Sequence, residues 1–247
     1  MTRLDVSFAV NTLCSFNHAP LHEHYRLALN VVSYLLTTKD LGITYGGRLR
    51  IPLGLPDYTP DFEKSNGLYC AHDSSFGTRP RPMGGYVIMY CNGAVDWSAK
   101  NLKIVPDNSN EAESAVGSRA AKALLYVRAL NYFHGRHVTR GSPMLGDNKA
   151  LYDQLQQEGA SSRTRYYERA VLLLKRAVLL LILSPYLIST DNMIADIFTK
   201  ATDKGLFNKM RNVMMNINSD LRSSLEIGMR AMTGNAQFLC KRLLKAL

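Results

Sequence analysis

The middle of the chain sets the strongest limit on what it can fold into. Between residues 68 and 105 three runs of strand-like character follow one another closely: 68–72, 85–90, and 94–98 continued by 103–105. Asn92-Gly93 separates the second from the third, and such a pair tolerates positive φ and closes a tight antiparallel hairpin. The period then changes. From Ser109 to about Phe133, Ala115, Val116, Ala120, Ala123/Leu124 and Val127 recur on one side of a helix. Beyond it, residues 143–147 read as a strand, 148–158 as a helix, 165–180 as another helix, and 186–190 as the last strand. Asp191-Asn192 reads as the cap of a final helix through 194–199. Three hairpin-connected strands followed by alternating helices and strands predict an α/β fold, a mixed five-stranded sheet flanked by helices.

The flanks are simpler. Residues 1–45 carry two helical apolar faces (Val6, Ala9, Val10 and Leu13, then Tyr25, Ala28, Leu29, Val32 and Leu35/Leu36), with a short strand expected over 41–45. Pro52, Pro56 and Pro60 mark a connector within residues 46–67. The expected organisation is a mainly helical arm over 1–62, an α/β domain over 63–216, and a basic, helical tail over 217–247. Hydrophobic residues at 46% and charged residues at 20% allow a buried core. The net charge of +10 is uneven. Residues 1–62 balance, residues 63–216 carry twenty Lys/Arg against thirteen Asp/Glu, and the tail carries five against two. A basic surface around clustered acids fits binding of a polyanion through a metal, and charge alone fits a generic basic surface equally.

Cys14, Cys70, Cys91 and Cys240 are far apart and form no CxxC pair, which argues against a zinc site or a redox motif and for reduced thiols in an intracellular protein. No secretory leader is evident. The most apolar stretch, 171–188, is broken by Lys175, Arg176 and Pro185 and reads as a buried helix running into a strand, not a membrane span.

Four acids occupy comparable places. Asp73 follows the first strand, Glu111 lies in the first turn of the long helix, Asp147 ends the fourth strand, and Asp196 sits near the start of the final helix. Strand C-termini and neighbouring helix starts gather on one edge of an α/β sheet. Each acid could cap its own turn. Together in one cleft they would repel one another, and two Mg²⁺ ions roughly 4 Å apart would relieve that while activating a water and stabilising a leaving oxygen.

The residues also resemble a known family, the C-terminal part of copia-type LTR-retrotransposon polyproteins, which ends in an RNase H domain. Asp73-Ser-Ser-Phe-Gly77 is similar to its D-A-S/D-F/W segment, and residues 95–105 (Val-Asp-Trp-Ser-Ala-Lys-Asn-Leu-Lys-Ile-Val) to its W-S-S-K-x-Q-K-T-V run. Ser109-Asn-Glu111-Ala-Glu113 resembles S-T-E-A-E, Leu145-Gly-Asp147-Asn148 resembles C-D-N, and Ser162-Arg163-Thr164-Arg165 resembles S-R-T-K. Residues 191–200 (Asp-Asn-Met-Ile-Ala-Asp-Ile-Phe-Thr-Lys) resemble x-x-x-A-D-x-x-T-K. Residues 2–11 and 24–41 are similar to the segments that follow the polymerase palm. The resemblance spans about residues 2–215.

It implies an RNase H-like fold and metal-dependent endonucleolytic cleavage of the RNA strand of RNA–DNA hybrids. The implied metal-binding and catalytic acids are Asp73, Glu111, Asp147 and Asp196, with Mg²⁺ or Mn²⁺ as a pair of ions. Glu113 is the rival of Glu111, which is preferred because it aligns with the helix glutamate of the wider fold. Lys100, Lys103, Arg163, Arg165 and Lys200 are expected to contact phosphates without reading sequence. The implied partners are an RNA–DNA hybrid and the reverse transcriptase portion that this chain lacks, so that the chain reads as a remnant. The expected location is a cytoplasmic particle or the nucleus.

His72 departs from a usual Ser, and residues 79–84, with two prolines, from a polar segment. These departures favour an alternative, an inactive or domesticated fragment that binds nucleic acid or serves as a structural module. A DNA nuclease or recombinase on the same fold would use similar acids, and only contacts to the 2′-OH separate it.

Overall fold

The structure, a computed structural model, describes residues 2–55, 62, 66–77, 81–157 and 167–217. Five strands form one sheet: β1 (Tyr69–Ser75), β2 (Met83–Tyr90), β3 (Gly93–Asn101), β4 (Ser142–Gly146) and β5 (Leu183–Leu187). Their spatial order is β3-β2-β1-β4-β5. The β1–β2 and β2–β3 pairs are antiparallel, and the β1–β4 and β4–β5 pairs parallel. This is the mixed five-stranded sheet expected from the sequence. The antiparallel half comes from the hairpins. The parallel half needs crossovers, supplied by α3 (Ser109–Phe133) between β3 and β4, and by α4 (Lys149–Gln156) and α5 (Glu168–Leu179) between β4 and β5.

Strand alternation divides the core into two layers. On one face Leu68, Cys70 and Ile88 pack under Ala120, Ala121 and Leu124 of α3, Leu151 of α4 and Leu174 of α5. On the other, Tyr69, Ala71, Val87 and Met89 meet Leu4, the 3₁₀ turn Ile194–Phe198, and Met210, Met214 and Met215 of α6 (Lys204–Met215). Two glycines of β2 let the covering elements come close. A Cβ on Gly84 would lie 2.5 Å from Val116 Cγ2, and one on Gly85 2.4 Å from Phe198 Cβ.

The N-terminal helices α1 (Ser7–Cys14) and α2 (His22–Thr37) lie on the β3 and α6 side. Leu4 is fully buried in the second layer, which is worth about 2 kcal/mol. Arg3 grips the buried Asp5 with two hydrogen bonds of 3.0 and 2.8 Å, and Tyr34 of α2 donates to the same carboxylate at 2.6 Å. Arg211 of α6 donates to the Tyr34 hydroxyl at 3.1 Å. Trp97 of β3 packs against this layer, and its indole donates to Ser7 Oγ at 3.1 Å.

Several local expectations are corrected. β1 runs two residues past Asp73, because Ser74 and Ser75 still pair with Gly84 and Met83. The hairpin loop is Cys91-Asn92, with φ of 49° and 67°, and Gly93 is the first residue of β3. Residues 103–105 lie beyond β3. Residues 41–45 form no strand; they are held by single bonds, Thr44 N–H to Met215 O at 3.0 Å and Tyr45 hydroxyl to Ala94 O at 2.8 Å. The last sheet strand begins at Leu183, three residues before the expected start, and as an edge strand it accommodates Pro185. The segment 194–199 makes a 3₁₀ turn, and α6, which was not anticipated, follows it. The described cysteines Cys14, Cys70 and Cys91 are free, and no helix among the described residues is long and apolar enough to cross a membrane. Arg163, Arg165, most of the expected tail, and residues 79 and 80 of the proline-bearing segment lie outside the described residues.

Candidate metal centre

Asp73 sits within β1 on the face covered by the turn Ile194–Phe198, paired with Gly85. Because Gly85 has no side chain, Thr199 can approach the sheet, and its hydroxyl donates to Asp73 Oδ2. Asp147 follows the last residue of β4 and precedes Asn148, whose side chain caps α4 by accepting from Leu151 N at 3.0 Å. Thr190 donates to Asp147 Oδ2 at 3.0 Å. Asp196 is buried within the 3₁₀ turn, and Lys200, one turn on, meets its Oδ2 at 2.8 Å.

The fourth carboxylate of the group is not the one preferred from the sequence. Glu113, not Glu111, joins the group: oxygens of Asp73, Glu113 and Asp147 lie within 4.8 Å of one another. Two residues apart on an α-helix means about 200° of rotation, so only one of the two glutamates can face β1. Glu111 is occupied at the helix start. Asn108 caps α3 by accepting from Glu111 N at 2.9 Å, and Glu111 Oε2 reaches back to Asp107 N at 2.8 Å. That is a reciprocal capping arrangement, with the negative charge in the favourable first turn. Glu113 points to the sheet, where Oε1 accepts from the Ser74 backbone N–H at 2.8 Å and its hydroxyl at 2.7 Å. Asn108 followed three residues later by a glutamate is a capping signature, and that signal could have separated the two.

The electrostatics are those of crowded buried acids. Asp73 is pushed up to about 7, mostly by burial and then by the charges of Glu113 and Asp196, against the Thr199 hydrogen bond and the Lys200 charge. Asp196 is also raised, by burial first and by the charge of Asp147, while Lys200 opposes the shift. Lys200 itself is raised: burial works against its charge, but the bond to Asp196 and the charges of Asp73 and Asp147 outweigh it. Glu113 Oε2 and Asp196 Oδ1 are buried without a hydrogen-bond donor. An all-oxygen donor set, uncompensated negative charge and orphaned carboxylate oxygens fit a hard divalent cation. Asp73, Glu113 and Asp147 could hold one together, and Asp196, paired with Lys200, borders them.

Of the expected phosphate contacts, Lys200 stands beside the carboxylates, whereas Lys100 at the end of β3 and Lys103 just past it are exposed. Thr199, Ser74 and Gly85 were not singled out from the sequence for roles in the site.

No protein-family model matches the chain. It is 32% identical over 120 residues to the putative transposon Ty5-1 protein of Saccharomyces cerevisiae, covering 47% of this chain and 34% of that one. It is 25% identical over 207 residues to the retrovirus-related Pol polyprotein from transposon RE1 of Arabidopsis thaliana, covering 83% of this chain and 13% of the polyprotein. The similarity to retrotransposon polyproteins expected from the motifs therefore holds, and the chain spans only a small part of such relatives. Among solved structures, LC11-RNase H1 in complex with an RNA/DNA hybrid overlays on 53% of this chain and 93% of its own, with 18% identity and a TM-score of 0.39.

Proposed function

We propose that this chain, similar to part of retrotransposon Pol polyproteins, is an RNase H-type endonuclease that cuts the RNA strand of RNA–DNA hybrids with the help of Mg²⁺ or Mn²⁺. The observation that carries the reading is the convergence of Asp73, Glu113 and Asp147, bordered by Asp196, with two buried carboxylate oxygens lacking a donor. A divalent ion pair bound there would supply Lewis acidity and an activated water for phosphodiester hydrolysis. The chain's own residues do the positioning. Thr199, Ser74 and Thr190 each donate a hydrogen bond to one of the carboxylates. Lys200 provides a cation beside the acids for a backbone phosphate, and Lys100 and Lys103, exposed at the end of β3 and beyond it, would set register on the backbone. Arg163 and Arg165 belong to the same proposal through their motif. The partners proposed are an RNA–DNA hybrid and the remaining parts of a polyprotein, inside the cell.

One observation favours a second reading, a domain that binds nucleic acid without cutting it: Lys200 already neutralises Asp196 at 2.8 Å. The experiment that separates the two is cleavage of an end-labelled hybrid with Mg²⁺ or Mn²⁺, alongside Asp73→Asn and Asp147→Asn. Cutting of the RNA strand by the parent and not by the variants supports the nuclease. Salt-sensitive hybrid binding by folded protein, with no metal-dependent cutting, selects the second reading.

A further inference from the structure

His72 is a buried polar residue for which the core gives no account. It is 2% exposed and lies on the α3 face of β1, in line with Cys70 and Ser74. Its ring occupies space kept open by two glycines. A Cβ on Gly117 of α3 would stand 3.3 Å from the ring Cε1, and one on Gly146 of β4 3.2 Å from Nε2. Met144, Leu151, Leu155 and Pro185, with Asn148 and Tyr152, line the rest of this small cavity, and none of them hydrogen-bonds to the ring in the structure. An imidazole in such surroundings is unfavourable without a polar partner. The partner is Glu113, whose Oε2 lies 3.2 Å from His72 Nδ1. The contact is close but oblique, so neither atom completes a well-aligned hydrogen bond. The other oxygen of the same carboxylate is held by Ser74. Two residues of β1 on the same side thus address the two oxygens of Glu113, one each. With only Ser74 present, the carboxylate could turn about its last bond. With both, that rotation is restricted.

We propose that His72 is a positioning residue: through Nδ1 it holds Glu113 Oε2, so that the carboxylate faces Asp73 and Asp147, and it thereby raises the affinity of the site for a divalent cation. The neutral imidazole with its proton on Nδ1 suffices, and no change of protonation is required. This rests on the metal-binding reading above.

The test is Mn²⁺ titration of the full chain, with free Mn²⁺ followed by electron paramagnetic resonance. Four proteins are compared: the parent, His72→Phe and His72→Leu, which keep apolar bulk without a donor, and His72→Asn, whose amide nitrogen falls near the Nδ1 position. Loss of an outer partner of a metal ligand costs about 10–100-fold in affinity. The expected result is a loss of that size in the Phe and Leu variants and recovery to within about threefold of the parent in the Asn variant. Circular dichroism and hybrid binding in EDTA are expected to stay the same across the series. Parental affinity in a folded Phe or Leu variant overturns the proposal. So does an Asn variant as weak as the other two, which would assign His72 to packing alone. A parent that binds no Mn²⁺ removes the metal reading itself, and the parent titration alone identifies that failure.

Discussion

Replacing Asp73 by Asn should stabilise the metal-free protein, although it removes the residue at the centre of the site. Asparagine has nearly the same shape, keeps an oxygen to accept from Thr199, and carries no charge. In the fold Asp73 titrates at about 7, against 3.8 ordinarily. That difference corresponds to on the order of 4 kcal/mol. The folded state holds the proton more tightly than the unfolded chain does. Stability is therefore lost as pH rises from about 4 to about 7, and the full cost applies above that window. At pH 5 the folded carboxyl is still mostly protonated, and the cost is less than half of that. Urea unfolding in EDTA, followed by circular dichroism, measures the difference. Asp73→Asn should exceed the parent by up to about 4 kcal/mol at pH 8 and by less than half of that at pH 5. In a melting experiment each kcal/mol appears as roughly 2–4 °C. Saturating Mg²⁺ should then reverse the order, because a ligand that binds only the folded parent stabilises only the parent. An Asn variant no more stable than the parent at pH 8, or an advantage of equal size at both pH values, would refute the electrostatic account.

Three further outcomes follow from the geometry. Glu113→Gln should lower hybrid cleavage by about 100-fold or more, while Glu111→Gln should leave the rate within about threefold and cost roughly 0.5–1 kcal/mol of stability through the cap; single-turnover cleavage and urea unfolding of both variants check this. Gly85→Ala should destabilise by about 1–3 kcal/mol, because its Cβ would meet Phe198 Cβ at 2.4 Å and Thr199 Cγ2 at 3.0 Å, and cleavage should fall with it as Thr199 is pushed from Asp73. Arg3→Ala should cost about 2–3 kcal/mol by leaving the buried Asp5 without its counter-charge, held by the Tyr34 hydroxyl, and Tyr34→Phe about 1 kcal/mol, both read by thermal melting.

The sheet was legible because each of its halves announces itself locally. A hairpin turn and a change of period are short-range signals, and they located β1 to β3 and α3 within a few residues. Elements whose conformation depends on distant partners were less legible. Residues 41–45 have the composition of a strand, yet they join no ladder, and single bonds to Met215 and Ala94 hold them. The turn at Ile194–Phe198 has apolar spacing compatible with an α-helix, but it is packed against Gly85 and ends at Thr199. In the site, Asp73, Asp147 and Asp196 could be found from their positions at element ends and from motif spacing. The choice between Glu111 and Glu113 turned on rotation about the helix axis, which is set by the Asn108 cap. The parts played by His72 and Ser74 arise from which face of β1 each residue occupies, and that became definite only with α3 in place.

The network joining Arg3, Asp5, Tyr34 and Arg211 brings the first residues of the chain against one of its last described helices, with 177 positions between Tyr34 and Arg211. During synthesis Leu4 and Asp5 emerge before the helix that completes their surroundings, which is made only after the whole sheet has been translated. Closing so long a loop is slow, and the entropy is spent before the contacts form. The nascent N-terminal segment therefore waits with apolar surface uncovered. A polypeptide started at residue 63 would escape that wait, but it would also fold without the leucine and the ion pair that cover the outer layer of the sheet. The order of events on the ribosome, and the dependence of refolding on residues 2–38, are thus written into this one contact.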